Sequence, residues 1–224
     1  MAPEKQDAQK SYSTVVGELT SGDLHSLNNF LQGIVGLSEL LHSNPNLPHD
    51  AKMDAQAILG IAEDASDLIR KMRDARKGAA SSPLPEVSEP IAKAIPPTTI
   101  SRKNMKILVA EDDPLVLNVV VGMLKALGYN PIPTQDGIEA RDKWNEIKDE
   151  VSLVLADLVM PRMGGLQLAE ELIAADSNVK IVVMTGYLRE ELDIDPDEFG
   201  LSGWLEKPMT AARLEQVIES VIGV

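Results

Sequence analysis

Two hydrophobic periods divide this chain. From Tyr12 to His42 the apolar positions Val16, Leu19, Leu27, Leu31, Ile34, Leu37 and Leu41 recur at spacings of three, four and occasionally eight, the stripe of an amphipathic helix. At 1.5 Å per residue such a helix is about 46 Å long. Ser43-Asn-Pro-Asn-Leu-Pro-His-Asp breaks the pattern, after which Met53, Ala57, Ile61, Ala65, Leu68 and Met72 mark a second helix ending near Lys77. Two such helices with a short connection predict an antiparallel hairpin. One hairpin leaves its apolar stripes half uncovered. Pairing with a second copy into a four-helix bundle would cover them, so a homodimer is expected.

From Lys106 the period changes. Lys106-Ile-Leu-Val-Ala, Leu153-Val-Leu-Ala, Lys180-Ile-Val-Val-Met and Trp204-Leu are short runs rich in Val, Ile and Leu, as expected of strands buried on both faces of a parallel sheet. Each run ends on polar chemistry: Glu111-Asp112-Asp113, Asp157, Thr185 and Lys207-Pro208. A parallel sheet gathers such groups at the carboxyl ends of its strands. Between the two regions, residues 78–105 hold five prolines and little apolar periodicity, which reads as a linker. Pro-rich chain extends at ~3.1 Å per residue, so roughly 25 residues would let the second domain range over several tens of Å.

Three carboxylates gathered in low dielectric repel one another unless a cation sits among them. Lys207 is one cation, and a hard divalent metal is the other that the residues suggest. Oxygen ligands without Cys or His favour Mg²⁺ over Zn²⁺. A carboxylate beside Mg²⁺, a hydroxyl and an ammonium is the equipment for accepting a phosphoryl group. Asp157-Leu-Val-Met-Pro161 followed by Gly164-Gly165 predicts a tight loop after the acceptor strand.

On these residues the segment from Lys106 to about Val224 resembles the receiver domain of response regulators. The resemblance implies a doubly wound, flavodoxin-like five-stranded parallel sheet and a phospho-acceptor role for Asp157. It implies direct Mg²⁺ binding by Asp112, binding through water by Glu111, and a further ligand in the Val159 backbone carbonyl. Thr185 and Lys207 would contact the phosphoryl group, Trp204 holds the place of the switch aromatic, and the Lys207–Pro208 bond would be cis. One departure stands out: where a fourth helix belongs, Leu188-Arg-Glu-Glu-Leu-Asp-Ile-Asp-Pro-Asp-Glu-Phe-Gly predicts a short or broken one.

The first predicted helix carries a His25-Ser-Leu-Asn28-Asn29 sequence between Gly17, Gly22 and the later Ile-x-Gly-x-x-Glu-Leu-Leu pattern. Residues 12–77 thereby resemble the dimerisation and histidine-phosphotransfer domain of sensor kinases. The resemblance makes His25 a phosphoryl acceptor and lets Asn29, four residues on, orient an attacking water. Two departures follow. The acid that normally succeeds the His is Ser26, and no Asp-x-Gly-x-Gly nucleotide motif occurs, so autophosphorylation from ATP is not expected. His42 and His49, at the hairpin connection, have no such context and should be solvated.

Composition narrows the partners. No run reaches the ~18 apolar residues of a membrane span, and the N-terminus lacks the apolar core of a signal peptide, so a cytoplasmic location is expected. There is no Cys, and the formal charge of −14 is uneven. Residues 1–105 carry 11 Lys and Arg against 13 Asp and Glu, and residues 106–224 carry 10 against 22. So acidic a second region repels nucleic acid and favours protein partners. The expected protein is α+β and multidomain: a helical hairpin over 1–77, a linker over 78–105 and a receiver over 106–224. It would exchange a phosphoryl group between Asp157 and His25, drawing on a donor histidine kinase or passing to a downstream receiver or phosphotransfer protein. The alternatives are a dimeric adaptor switched by Asp157 phosphorylation, and a phosphatase of a partner receiver.

Overall fold

The computed structural model describes residues 21–76, 102, 105–186 and 199–223. The predicted start of the first helix, nearly all of the linker and the segment from Leu188 to Asp197 lie outside the described residues. Helix α1 spans Ser21–Ser43 and α2 spans His49–Arg76, joined by the expected breaker. Then follow β1 (Lys106–Ala110), α3 (Pro114–Ala126), β2 (Asn130–Thr134), α4 (Gly137–Ile147), β3 (Val151–Asp157), α5 (Gly165–Ala175), β4 (Ile181–Thr185), β5 (Gly203–Glu206) and α6 (Ala211–Ile222).

All strand pairs are parallel and the order is β2-β1-β3-β4-β5. Alternate residues of the strands feed two cores, one on each face. Ile107, Val109, Leu153, Leu155, Val182, Met184 and Leu205 pack under α3 and α6. Leu108, Ala110, Val154, Ala156, Ile181 and Val183 pack under α4 and α5 with Trp144. Burial on both faces is why these strands read as unbroken apolar runs.

β2 escaped the sequence reading because Asn130-Pro-Ile-Pro-Thr breaks every strand rule except the one for edges. Asn130 donates its N–H to Met105 at 3.0 Å, which turns the prolines' missing donors toward the open side of the sheet. Local caps set the helix starts. Asp113 accepts from the Leu115 and Val116 amides with Pro114 in the first turn of α3, and Asp136 does the same for Ile138 and Glu139 of α4.

In the hairpin the structure corrects the assignment of faces. Leu31, expected on the open stripe, is turned inward with Leu24 and Val35 against Ala62 and Ile69 of α2. Ala55, Ala62 and Ile69, seven apart, supply the inward face of α2, whereas Met53, Ile61 and Leu68 of the predicted stripe point outward. The exposed row on α1 is Leu27, Phe30, Ile34, Leu37 and Leu41, alternating three and four apart. A third face of α1 packs on α3. Gly36 permits this approach: a Cβ there would sit 1.9 Å from Val119 Cγ1 and 2.9 Å from Met123 Cε. Among the described residues no helix is long and apolar enough to cross a membrane.

Candidate active site

β1, β3, β4 and β5 end side by side, and the four polar endings meet as expected. Glu111, Asp157 and Thr185 are fully buried, and the Lys207 side chain has no exposure. Lys207 Nζ donates to Glu111 at 2.7 Å and stands 3.2 Å from Asp157 Oδ1. The β4 and β5 ends are tied together, Lys207 N–H donating to the Thr185 carbonyl at 2.6 Å. The Lys207–Pro208 bond is cis. Gly165 closes the loop behind the acceptor, since a Cβ there would lie 2.4 Å from the Asp157 carbonyl oxygen. The three consecutive acids divide their work: Glu111 faces Lys207, Asp112 opens toward solvent as the least buried of the site acids, and Asp113 caps α3.

The site carries more negative charge than one ammonium can balance. Burial pushes the Glu111 carboxyl up to about 8, with Asp157 adding to the rise and Lys207 offsetting part of it. Asp112 is raised by burial and by Asp157. For Lys207 burial acts downward, but the Asp157 and Glu111 carboxylates outweigh it and hold the ammonium above its usual range. One carboxylate oxygen each from Glu111, Asp112 and Asp157 lie within 4.8 Å of one another, and Asp157 Oδ2 has no hydrogen-bond donor among the described residues. Clustered hard oxygens with surplus negative charge fit Mg²⁺. Val159, the predicted carbonyl ligand, lies two residues past Asp157 in the following loop with its side chain half exposed. Trp204 in β5 is partly buried, and its indole N–H has no acceptor among the described residues.

His25 is near enough to the pocket that a positive charge on its ring would lower the Asp112 carboxyl. Asn29 Nδ2 is 3.5 Å from His25 Nε2. His42 and His49 lie exposed at the hairpin connection, away from the site, as expected.

Sequence reasoning assigned no role to three residues of α1 that touch the loops around the pocket. Asn28 Nδ2 donates to the Gly186 carbonyl at 2.6 Å. Gln32 donates to the Met209 carbonyl at 3.2 Å and accepts from the Met209 N–H at 2.6 Å. Glu39 accepts from the Ala211 N–H at 2.8 Å, filling the first-turn donor of α6. Asn28 and Glu39 belong to the motifs of the first helix and Gln32 shares their helix face, but nothing in either signal names a partner.

An open parallel sheet with an acidic pocket, a threonine and a lysine at its carboxyl edge defines the receiver class, in which signalling runs through a phospho-accepting aspartate. A family model described as the response regulator receiver domain matches residues 107–219, half of the chain, and the chain belongs to that family. The matched segment does not include the hairpin. The chain is 31% identical to the chemotaxis protein CheY-3 of Vibrio cholerae over 126 residues, 54% of this chain and 95% of that protein. It is 32% identical to the response regulator receiver protein CpdR of Brucella abortus, over 52% of this chain and 96% of the relative. A receiver domain protein from Clostridium thermocellum superposes with a TM-score of 0.51 at 24% identity, covering 53% of this chain and 94% of its own, a likeness of fold alone.

Proposed function

We propose that this is a phosphorelay protein in which Asp157 accepts a phosphoryl group and His25 exchanges it. An Asp157 carboxylate oxygen attacks phosphorus of an acyl phosphate or phosphohistidine donor. The bond to the donor breaks, and its electron pair leaves with acetate or with the donor imidazole. Lys207 and Thr185 hold the equatorial oxygens, while Glu111, Asp112, Asp157 and the Val159 carbonyl would hold Mg²⁺. When bound, that ion neutralises charge on the transferring oxygens. In the exchange, a neutral imidazole nitrogen of His25 attacks phosphorus, the P–O bond to Asp157 breaks, and the carboxylate is regenerated; the reverse restores phospho-Asp157. Trp204 would report occupancy as the switch aromatic.

The observation that carries this reading is the docked hairpin, which brings His25, on a face of α1 other than the exposed row, close enough for its ring charge to act on Asp112. That row, Leu27, Phe30, Ile34, Leu37 and Leu41, together with Ile61 and Leu68 of α2, supports pairing with a second copy. The relay would work in the cytoplasm as a homodimer, with residues 1–77, 78–105 and 106–224 as its units. Its partners would be a donor histidine kinase and a downstream receiver or phosphotransfer protein, and not nucleic acid. No ATP-dependent autokinase activity is proposed for it.

Radiolabelled acetyl phosphate with Mg²⁺ tests the reading. Asp157→Asn should abolish labelling, and His25→Ala should leave it intact while removing the acid-labile, base-stable fraction. If wild type yields no phosphohistidine from any small donor, kinase or phospho-receiver, the relay falls and the switched adaptor takes its place.

One observation favours a second activity. Asn29 is buried beside His25, and its Oδ1 accepts no hydrogen bond among the described residues. Such an oxygen could orient a water toward a phosphorylated aspartate of a bound receiver. Asn29→Ala should then lengthen the lifetime of phospho-Asp157 without changing its rate of labelling.

A further inference from the structure

The grips of Asn28 and Gln32 fall on main chain at two places. Gly186 directly follows Thr185, and Met209 lies two residues past Lys207. Each grip therefore holds the loop behind one of the two side chains assigned to the phosphoryl group. Gln32 is fully buried, and one receiver residue satisfies both ends of its amide. Packing alone would be served by an apolar side chain at less risk, since a buried amide that loses its partners is costly.

We propose that Asn28 and Gln32 read the receiver's switch loops, so that docking of the hairpin and phosphoryl occupancy of Asp157 oppose each other. The proposal rests on Asp157 being the acceptor. Phosphoryl oxygens on Asp157 compete with Glu111 for Lys207, now bonded at 2.7 Å, and they bond Thr185, drawing on both loops. Two of the three clamp bonds are close contacts of 2.6 Å to main-chain atoms, so a loop shift that carries those atoms past hydrogen-bond range breaks them. A cavity of about 240 Å³, lined by Asn28, Gly186, Lys207, Pro208 and Thr210 among others, leaves the loops room to shift without repacking the core. The coupling is reciprocal: occupancy loosens the hairpin, and a docked hairpin disfavours occupancy.

Hydrogen exchange on the full chain in Mg²⁺, with and without beryllofluoride as a phosphoryl mimic, tests this. The Met209 and Ala211 amides, which donate to Gln32 and Glu39, should exchange about tenfold faster on loading, the change expected for loss of one hydrogen bond at each. The Leu155 amide in the central strand should not change. Gln32→Leu should expose Met209 without beryllofluoride and raise the steady-state phospho-Asp157 fraction from acetyl phosphate severalfold. A merely structural Gln32 predicts fast exchange in the variant, but wild-type exchange blind to loading and an unaltered phosphorylated fraction. That result overturns the proposal and leaves Asp157 standing as the acceptor. Failure of wild type to load beryllofluoride, read from Trp204 fluorescence, or to label from acetyl phosphate overturns both.

Discussion

The receiver and the hairpin solve the same problem with unequal means. The receiver encloses its sheet between two pairs of helices, with Ile107, Leu155, Val182 and Leu205 fully buried. The hairpin has a core of Leu24, Leu31, Val35, Ala62 and Ile69 and leaves a row of large apolar side chains in solvent. A two-helix unit cannot surround its own apolar surface. It covers one face with α2, lends one to the receiver and leaves one exposed. Its structure is thus tied to its contacts in a way the receiver's is not.

The largest expected effect comes from a void cut in each core. Leu155→Ala should cost the receiver about 2–5 kcal/mol, since the close-packed sheet cannot collapse around the void. Ile69→Ala should fall at the bottom of that range and leave unfolding of the receiver, followed by Trp144 fluorescence, unchanged. Equal losses in the Trp144 transition would mean that the two regions fold as one.

Next in size is the open row. Ile34→Glu or Ile61→Glu should dissociate the proposed homodimer in sedimentation while leaving the hairpin helical, each large side chain being worth ~1.5 to 3 kcal/mol of burial. Leu31→Glu should instead unfold the hairpin, because Leu31 faces its core. A wild-type chain that is monomeric at micromolar concentration removes the second copy from the account.

A smaller effect isolates docking. Gly36→Leu overfills the α1–α3 contact and should separate the helices at a cost of about 1–3 kcal/mol, read as faster exchange at Met209 and Ala211 with both units still folded. Protection that survives Gly36→Leu would mean that this contact does not hold the hairpin in place.

The smallest expected effect lies in pH. Glu111 has a folded-state value of about 8 against an ordinary 4.5, so between those values the folded protein holds a proton that the unfolded chain has lost. Stability from this group is present below about 4.5 and declines as pH rises toward 8. Mg²⁺ requires the deprotonated carboxylate, so thermal melts should show it stabilising the receiver about 1 kcal/mol more at high pH than at low pH. Glu111→Gln should flatten that difference; a metal increment independent of pH would remove Glu111 from the ligand set.

How much of this was legible can be argued residue by residue. Strands buried on both faces read as unbroken apolar runs, so β1, β3, β4 and β5 were visible along with the Glu111, Asp157, Thr185 and Lys207 that end them. β2 was hidden because its two prolines are tolerable only at an edge, and edge position is a property of the whole sheet. Which of two helical stripes turned inward was also undecided, since both recur at helical spacing. Leu31 and Ile34 differ only in what the rest of the molecule puts beside them.

What could be read in one dimension was the helical hairpin, the central strands of the sheet and the polar residues that end them, because hydrophobic period and strand-end chemistry are local. Only the packing of the two units could show that Asn28, Gln32 and Glu39 hold the receiver. Gln32 meets Met209 across 177 residues of chain. It meets main-chain atoms, which every residue carries alike, so no pattern of side chains could have announced the contact.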